Sequence, residues 1–332
     1  MTWNFLLPRK VGWLSTDKSG FLVNSEKQKG VALVLVLLSL TLLASAGSYL
    51  IHDDHKAIRR VENQRDYLQA HYLAESGLQW VKLVLQKDGE SSTTDHLNEP
   101  WNTLAQPVDV ENGALSIEVL DAQSRFNINN LQNDAGGIWL SGLENLLEMV
   151  DQPPGLAAKI KDWIDEDANP TGFEGAEDDD YLLHDPPMRA ANSAMGDISE
   201  LLLVKDIDME IFEKISPFLA AIPTTNLRIN VNTCPDLLFG IMGRTVLPEG
   251  VGRALVAGRG EGGYLSVDEF IAATELASHG DVAVSLADVS SSYFLVNVTS
   301  SFGRIIIKNR YLLKRSVEEK VYVDIVRVTS VS

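Results

Sequence analysis

The chain has 332 residues and a formal net charge of −18 at pH 7, and 45% of its residues are hydrophobic. This length provides for one large or two ordinary folded domains. The acidity argues against nucleic acid as a partner, because nucleic acids attract proteins through basic patches. A single cysteine, Cys234, excludes an intrachain disulfide and is interpreted as a small apolar core residue.

The first predicted element is an uncharged, mainly apolar segment of 21 residues, 31–51. As a helix that rises about 1.5 Å per residue, it is long enough to cross the roughly 30 Å hydrocarbon core of a bilayer. A long core helix of a soluble protein would keep a polar face, and this segment has none. We therefore predict a single membrane span. The alternative is a secretory signal peptide that is cleaved near Ala44, Ser45 and Ala46.

The charges beside the span predict its orientation. The positive side chains before the span are Arg9, Lys10, Lys18, Lys27 and Lys29. Only Asp17 and Glu26 oppose them, so the positive-inside rule places the N-terminus in the cytoplasm and the main domain in the periplasm. His52 and His55 follow the span directly, and we interpret them as interfacial residues instead of metal ligands.

Helical character continues beyond the span through residues 52–87, where no proline occurs and only Gly77 interrupts good helix formers. Apolar residues recur there at helical intervals, which predicts one helix that is half membrane span and half amphipathic. Residues 108–130 and 288–330 predict an antiparallel sheet, with 114–120 as a strand and 124–129 as its candidate partner. Its other strands are predicted at 293–299, 304–313 and 321–328. We expect an α+β fold in which this sheet packs on the amphipathic half of the helix.

Residues 131–287 lie between these two groups of strands and read as a series of short helices, that is, an inserted all-α domain. Capping-box spacing marks candidate helix starts at Ser141, Asp197, Thr233 and Ser266, each followed three residues later by an acidic residue. Residues 248–259 resemble a helix-hairpin-helix segment. The acidity of the chain favours a structural role for its glycines, close packing of two short helices, over contact with DNA phosphates.

An acidic segment lies inside the insertion, between the apolar residues at 163–164 and those at 181–183. Its Asp165-x-Asp167-x-Asn169 run repeats the opening of an EF-hand loop, but the glycine and glutamate that should follow are out of register. Carboxylates crowded near buried ends repel one another unless a cation neutralises them. We therefore predict a calcium site of another kind, with a solvated acidic loop as the alternative. The candidate ligands are Asp165, Asp167, Glu177 and Asp180.

Several motifs together resemble a known family. Lys27-Gln28-Lys29-Gly30 before the apolar span looks like a prepilin peptidase site. The downstream motifs are, in order, FNINNL (126–131), WIDEDANP (163–170), GAEDDDYL (175–182), SELLLV (199–204) and INVNTC (229–234). Taken together they resemble the protein K family of minor pseudopilins of type II secretion systems. The resemblance covers nearly the whole chain from residue 27 onward. The 30 residues up to Gly30 would form a longer leader than is usual for this class.

The resemblance implies a pilin-like fold, a long N-terminal helix packed on an antiparallel sheet, with a large inserted helical domain. It implies that residues 1–30 are a leader removed after Gly30, that Val31 becomes a methylated N-terminus, and that calcium binds in the acidic segment. Major pilins carry a glutamate at the fifth position after cleavage. The corresponding residue here is Leu35, which implies a subunit with no partner above it.

The implied function is that of a minor pseudopilin that forms or caps the pseudopilus tip and supports export of folded proteins across the outer membrane. The implied partners are the I and J minor pseudopilins, the inner-membrane secretion platform and the prepilin peptidase, with no nucleic acid. No nucleophile motif or phosphate-binding glycine loop indicates an enzyme. The alternatives are a minor pilin of a type IV pilus and a membrane-anchored calcium-binding module.

Overall fold

A computed structural model describes residues 25–331 except 105, 106, 184, 244, 245, 249, 273–275 and 277–279. Side chains are not described for 25–29, 53, 54, 280 and 281. Most of the predicted leader, residues 1–24, therefore lies outside the described residues. The described part divides into two compact units, Met1–Glu62 and Asn63–Ser332.

Helix α1 (Ser25–Ser91) begins in the first unit. Its apolar part exposes its side chains, for example Leu43 at 70%, and it is the one helix in the described residues that is long and apolar enough to cross a membrane. The hydroxyl groups of Ser39, Thr41 and Ser45 donate hydrogen bonds to backbone carbonyls three residues earlier. These polar groups are thus satisfied within the helix, as a bilayer environment requires.

The second unit consists of the rest of α1, a five-stranded antiparallel sheet and a set of short helices. The described strands are β1 (Val108–Val110), β2 (Gly113–Asp121), β3 (Phe126–Asn127), β4 (Leu219–Ala220), β5 (Ile229–Asn230), β6 (Ala287–Asp288), β7 (Tyr293–Phe302), β8 (Ile305–Val317) and β9 (Val321–Ser330). The large sheet has the strand order β1-β2-β7-β8-β9, and all its neighbouring pairs are antiparallel.

One face of this sheet packs on α1. The fully buried helix residues Ala74, Leu78, Val81 and Leu85 follow intervals of three to four positions and contact sheet residues such as Phe294. This spacing places them on one side of the helix, which explains why this half of α1 is amphipathic. Of the apolar residues whose spacing predicted this face, Val81 and Leu85 are buried, whereas Val61, Leu68 and Tyr72 are exposed. The sequence therefore predicted the helix, and its buried face only in part.

The opposite face of the sheet carries two side-chain rows that the register defines. One row runs from Glu118 through Asn297 to Arg310, and the next runs through the leucines of β2, β7 and β8 to Arg327. A β-bulge on β9 gives that strand one extra residue, Val326, between the partners of Leu312 and Leu313. Such an extra residue shifts the alternation of side chains by one position.

The chain between β2 and β7 consists of short helices joined by irregular segments and has a hydrophobic core of its own. Its helices are α2 (Ile138–Met149), α3 (Leu156–Ile164), α4 (Asp178–Tyr181), α5 (Met209–Ile215), α6 (Val251–Gly258), α7 (Val267–Ala272) and α8 (Gly280–Leu286). Ile198–Leu203 and Asp236–Met242 form 3-10 helices where we expected ordinary helices. The short pairs β3–β4 and β5–β6 within this region are parallel.

The expected pairing of residues 124–129 with the strand before them is wrong. The carboxylate of Asp121 accepts a hydrogen bond from the Gln123 backbone N–H at 2.8 Å and stabilises a 3-10 turn at the end of β2. The chain then leaves the large sheet, and β3 pairs with β4 instead. On the large sheet, β2 pairs with β1 and β7.

Candidate metal centre

Helices α3 and α4 hold the two ends of the acidic segment. Asp165 is the C-cap residue of α3, and Glu177 is the N-cap residue of α4. The rings of Trp163 and Tyr181, one in each helix, pack edge to face with centroids 5.0 Å apart, and both side chains are buried. The apolar residues that flank the acids therefore fix both ends of the loop in the core.

Asp162 organises the loop from inside. It is fully buried, and its carboxylate accepts hydrogen bonds from the backbone N–H groups of Thr171 at 3.0 Å and Ala176 at 2.8 Å. Gly175 passes so close that a Cβ atom there would lie 2.2 Å from Asp162 Oδ2, so only glycine fits at this position. Asp162 was not among the predicted site residues, because its partners are loop amides that no side-chain pattern marks.

Three of the four predicted ligands come together. Asp165, Asp167 and Glu177 each offer a carboxylate oxygen within 4.8 Å of the other two. Asp165 and Glu177 are buried, whereas Asp167 is exposed. One oxygen of Asp165 and both carboxylate oxygens of Glu177 are buried without a hydrogen-bond partner among the described residues. Because buried unpaired carboxylate oxygens are costly, this group fits a bound cation.

The electrostatics of Asp165, Asp167 and Glu177 also favour a bound cation. Burial, and after it the charges of Asp167 and Asp162, raise the pKa of Asp165 to about 6. Burial and then the charges of Asp162 and Asp165 raise the pKa of Glu177 to about 7. A divalent cation would favour the ionised forms. A cleft of about 490 Å³ opens beside Asp165 and Asp167 and gives access from solvent.

The fourth predicted ligand, Asp180, has a different environment. Its Oδ1 atom accepts a hydrogen bond from Lys205 Nζ at 2.6 Å, which lowers the pKa of Asp180. The backbone N–H of Glu177 faces its other oxygen at 3.4 Å. The structure thus places Asp180 beside the group of three, with its charge compensated by a lysine.

Asn192 contacts the loop from a distant part of the sequence. Its backbone N–H donates to the Trp163 carbonyl at 3.0 Å, and its Nδ2 atom donates to the Asp167 carbonyl at 3.2 Å. Its side-chain oxygen is buried without a partner among the described residues. Calcium takes six to eight oxygen ligands, and amide oxygens are among those it accepts. Asn192 is an additional candidate that sequence reasoning missed, because spacing within the acidic segment cannot indicate it.

A second acidic group lies at the end of α1 and has its own cation. Asp88, Asp95 and Glu99 are all buried, and Arg315 contacts Asp88 at 2.8 Å and Asp95 at 2.5 Å. Glu99 accepts hydrogen bonds from Trp101 Nε1 and the His96 backbone N–H. Because the guanidinium compensates two of the three carboxylates and Glu99 has donors of its own, we assign this group to the structural core.

The predicted processing and assembly residues lie on α1 in the first unit. Val31 and Leu35 are 61% and 58% exposed, and a Cβ atom at Gly30 would meet nothing within 4 Å. His52 and His55 are also exposed on this helix. Nothing within the described chain covers this apolar surface.

Comparisons with known proteins identify the family. Two family models described as type II secretion system (T2SS), protein K, match residues 124–224 and 229–290. The type II secretion system protein K of Pseudomonas aeruginosa is 33% identical over 291 residues, which cover 83% of this chain and 85% of the relative. The protein K of Klebsiella pneumoniae is 28% identical, covering 88% and 94%. The chain belongs to the type II secretion system protein K family.

A solved structure has the same fold. It is described as the crystal structure of the GspK-GspI-GspJ complex from the enterotoxigenic Escherichia coli type 2 secretion system, and it matches with a TM-score of 0.73 at 24% identity. The match covers 82% of this chain and 99% of that chain. The predicted family and the pilin-like α+β fold are thereby confirmed. As a member of the protein K family, the chain is a minor pseudopilin of the type II secretion system, and its apolar helix fits a single-pass inner-membrane anchor.

Proposed function

We propose that this minor pseudopilin forms the tip of the pseudopilus together with the I and J minor pseudopilins. The observation that carries the proposal is the fold match over 99% of a chain that was solved in a GspK-GspI-GspJ complex. The uncovered apolar surface of α1 supports it, since helices of neighbouring subunits would bury that surface after extraction from the bilayer. The role is structural and involves no catalysis.

The capping role rests on two features of the chain. Leu35 stands where a carboxylate would pair with the N-terminal amine of another subunit, so this chain cannot make that ion pair. The helical region between β2 and β7 is large, and its bulk would hinder the addition of a further subunit above the sheet. Both features favour a terminal position.

Processing and topology follow from the same assignment. The prepilin peptidase would cleave after Gly30 on the cytoplasmic side, and Val31 would then be the methylated N-terminus. The N-terminus would lie in the cytoplasm and the main domain in the periplasm, where the inner-membrane secretion platform would extract the subunit. The positive flank before the span supports this orientation.

Calcium is the proposed ligand of the acidic loop. Asp165, Asp167 and Glu177 would hold the ion, and Asp180 lies next to them as a further candidate. The unpartnered buried oxygens of Asp165 and Glu177 support this proposal. The bound ion would neutralise mutually repelling carboxylates and stabilise the loop between α3 and α4.

Co-expression tests the tip role. The full chain, solubilised in detergent, should co-purify with the I and J minor pseudopilins as a stable complex. The Glu177→Gln variant is the matched control, because it removes a proposed calcium ligand and leaves α1 unchanged. If I and J associate with each other while this chain purifies alone, the tip role is wrong and an independent calcium-binding module is favoured.

A further inference from the structure

A small cleft lies on the face of the large sheet that points away from α1. Its floor consists of Leu120, Leu295 and Leu312, which the strand register places side by side on β2, β7 and β8. Residues 219–222 of the helical region form part of the opposite wall. The volume of about 80 Å³ gives room for one side chain and not for a larger ligand.

Three arginines line this cleft, Arg125, Arg310 and Arg327. Arg327 donates to the backbone carbonyls of Gly196 and Ala221, which holds one of its nitrogens in place. Arg310 donates from Nε to Asn297 Oδ1 at 3.0 Å and keeps its two terminal nitrogens for other acceptors. The five N–H donors of a guanidinium are far from exhausted by these bonds.

Arg125 is the least satisfied of the three. Its half-buried guanidinium makes no hydrogen bond or ion pair with any described residue. Burial, and after it the charge of Arg310, lowers the pKa of Arg125, whereas Glu118 raises it. No nitrogen of Arg125 is among the fully buried atoms without a partner, so the guanidinium is open to solvent and accessible to an acceptor from another molecule.

The acidic groups of the cleft are already engaged. Asp197 accepts hydrogen bonds from the backbone N–H and the hydroxyl of Ser199. Asp121 accepts from Gln123, Asn230, Thr233 and Ser291 on the other side of the strand end. Glu118 accepts from Asn297 at 2.8 Å. These hydrogen bonds leave the carboxylates charged, so the three arginines and two aspartates that line the cleft amount to one net positive charge, on a chain whose net charge is −18.

The geometry points to a docking site for an acidic segment of another protein, in which an apolar side chain rests on the three leucines and a neighbouring aspartate or glutamate binds Arg125 and Arg310. An arginine fork matches a carboxylate in a bidentate manner. Nucleic acid and anionic lipid surfaces fit poorly, because the acidic remainder of the molecule would repel extended polyanions. The inference goes beyond the proposed tip role and does not involve the calcium loop.

Peptide binding to the full chain in an uncharged detergent tests this site. The probes are amidated hexapeptides with one leucine and one glutamate at separations of one, two or three positions, each paired with a glutamine counterpart and carrying an uncharged fluorophore. At least one glutamate peptide should bind saturably in fluorescence anisotropy, and its glutamine counterpart should bind at least tenfold more weakly.

The variants Arg125→Gln and Arg125→Gln/Arg310→Gln should each weaken the binding about tenfold or more. Arg304→Gln is the matched control, because it removes the same charge from the exposed turn between β7 and β8 and should leave the affinity unchanged. Arg125→Gln alone covers the case in which the double variant does not fold, since the Arg125 side chain makes no hydrogen bond that the fold would lose. The inference is overturned if no glutamate peptide binds more tightly than its glutamine counterpart. It is also overturned if the arginine variants bind like the wild type.

Discussion

The carboxylates around the acidic loop differ in what surrounds them. Asp178 and Asp180 pair with Arg189 and Lys205, and Asp162 binds backbone amides. Asp165 and Glu177, in contrast, keep buried oxygens without a donor among the described residues. At the scale of single residues, this contrast separates carboxylates that are paired within the fold from those that the proposed calcium ion would neutralise.

Glu177→Gln should therefore have opposite effects without and with calcium. The folded-state pKa of Glu177 is raised to about 7, so its ionisation lowers the stability of the wild type as pH rises toward 7. In a chelator at pH 8 the variant, which carries no such charge, should melt at a higher temperature than the wild type. In millimolar calcium the order should reverse, because ion binding stabilises only the intact site.

Differential scanning calorimetry of the full chain in detergent measures both melting temperatures. Asp179→Asn is the matched control, because Asp179 is exposed in the same segment and should respond to calcium like the wild type. An equal calcium-induced rise in Glu177→Gln and in the wild type would contradict the assignment of Glu177 as a ligand. A wild type that calcium does not stabilise would contradict the site as a whole.

Asp121 gives a second prediction at this scale. Burial raises the pKa of Asp121 to about 6, although hydrogen bonds from Thr233 and Ser291 act to lower it. The pKa of Asp121 is higher in the folded state than in the unfolded state, so the folded state binds the proton more tightly. The contribution of Asp121 to the free energy of unfolding therefore falls as pH rises from 4.5 to 7. Since one pKa unit corresponds to about 1.36 kcal/mol, the free energy of unfolding decreases by about 2 kcal/mol over this pH range.

Asp121→Asn removes this titration while it breaks part of the hydrogen-bond network. The variant should be destabilised at both pH values, and by about 2 kcal/mol more at pH 4.5 than at pH 7. Chemical denaturation at the two pH values measures the difference. A destabilisation that is the same at both would show that the Asp121 carboxylate titrates as it does in the unfolded chain.

At the scale of elements, one of the four capping-box patterns is confirmed and a second forms in part. Asp197 accepts from the Ser199 backbone N–H, while Glu200 accepts from the backbone of Asp197. Ser266 accepts from the backbone N–H of Glu269, but Glu269 accepts from the backbone N–H of Leu265 instead of that of Ser266. In both cases the pattern and its partners lie within one turn, so the local sequence is sufficient to predict them.

The other two capping predictions, at Ser141 and Thr233, are wrong. An earlier residue caps the helix in the first case, and a distant residue binds the hydroxyl group in the second. Helix α2 begins at Ile138 instead of beyond Ser141, since the Asp134 carboxylate accepts from the backbone N–H groups of Ile138 and Leu140. The Thr233 hydroxyl donates to Asp121, which lies more than a hundred residues earlier, and does not cap a helix. Spacing alone cannot reveal such competition.

The helix-hairpin-helix-like segment shows why its glycines are needed. A Cβ atom at Gly252 would lie 2.1 Å from the Asp236 carbonyl oxygen, so α6 packs on the preceding 3-10 helix through a bare backbone. Arg259 donates hydrogen bonds to the carbonyls of Val231 and Cys234, so its guanidinium holds this segment to the preceding part of the chain. These contacts support the interpretation that the glycines serve close packing.

Gly252→Ala should therefore destabilise the second unit by about 1–3 kcal/mol, the usual cost of overpacking. Gly262→Ala is the matched control, because a Cβ atom there would meet nothing within 4 Å. Urea denaturation of the two variants and the wild type gives the comparison. If Gly252→Ala is no less stable than Gly262→Ala, close packing of α6 is not what requires the glycine.

At the scale of the whole molecule, the membrane helix predicts the mature terminus. Cleavage after Gly30 would leave Val31 as the first residue of an uncharged helix. In cells that contain the prepilin peptidase, mass spectrometry of the membrane fraction should detect an N-terminal peptide that begins at Val31. Gly30→Ala should retain the leader. A terminus near Ala46 would instead indicate a signal peptide.

The sequence by itself determined the features that depend on local composition and spacing. The uncharged run 31–51, the helical course of α1 and the strands β2, β7, β8 and β9 are of this kind, because each element carries its own pattern of residues. The ordered motifs were sufficient to indicate the family. The acidic segment was visible as a concentration of carboxylates and predicted a calcium site, but its spacing did not predict which of the acids come together.

Only the tertiary structure decided which of those acids meet. Asp165, Asp167 and Glu177 converge because Asp162 closes the loop and a ring pair fixes its ends. Asp180 is close enough to Glu177 in the sequence to be a further ligand, but its carboxylate pairs with Lys205 instead. The arginine-lined cleft arises in the same way, where the register of the sheet meets the helical region. Charges that are far apart along the chain become neighbours only when the chain folds, because their energies depend on distance and burial, which spacing in the sequence does not encode.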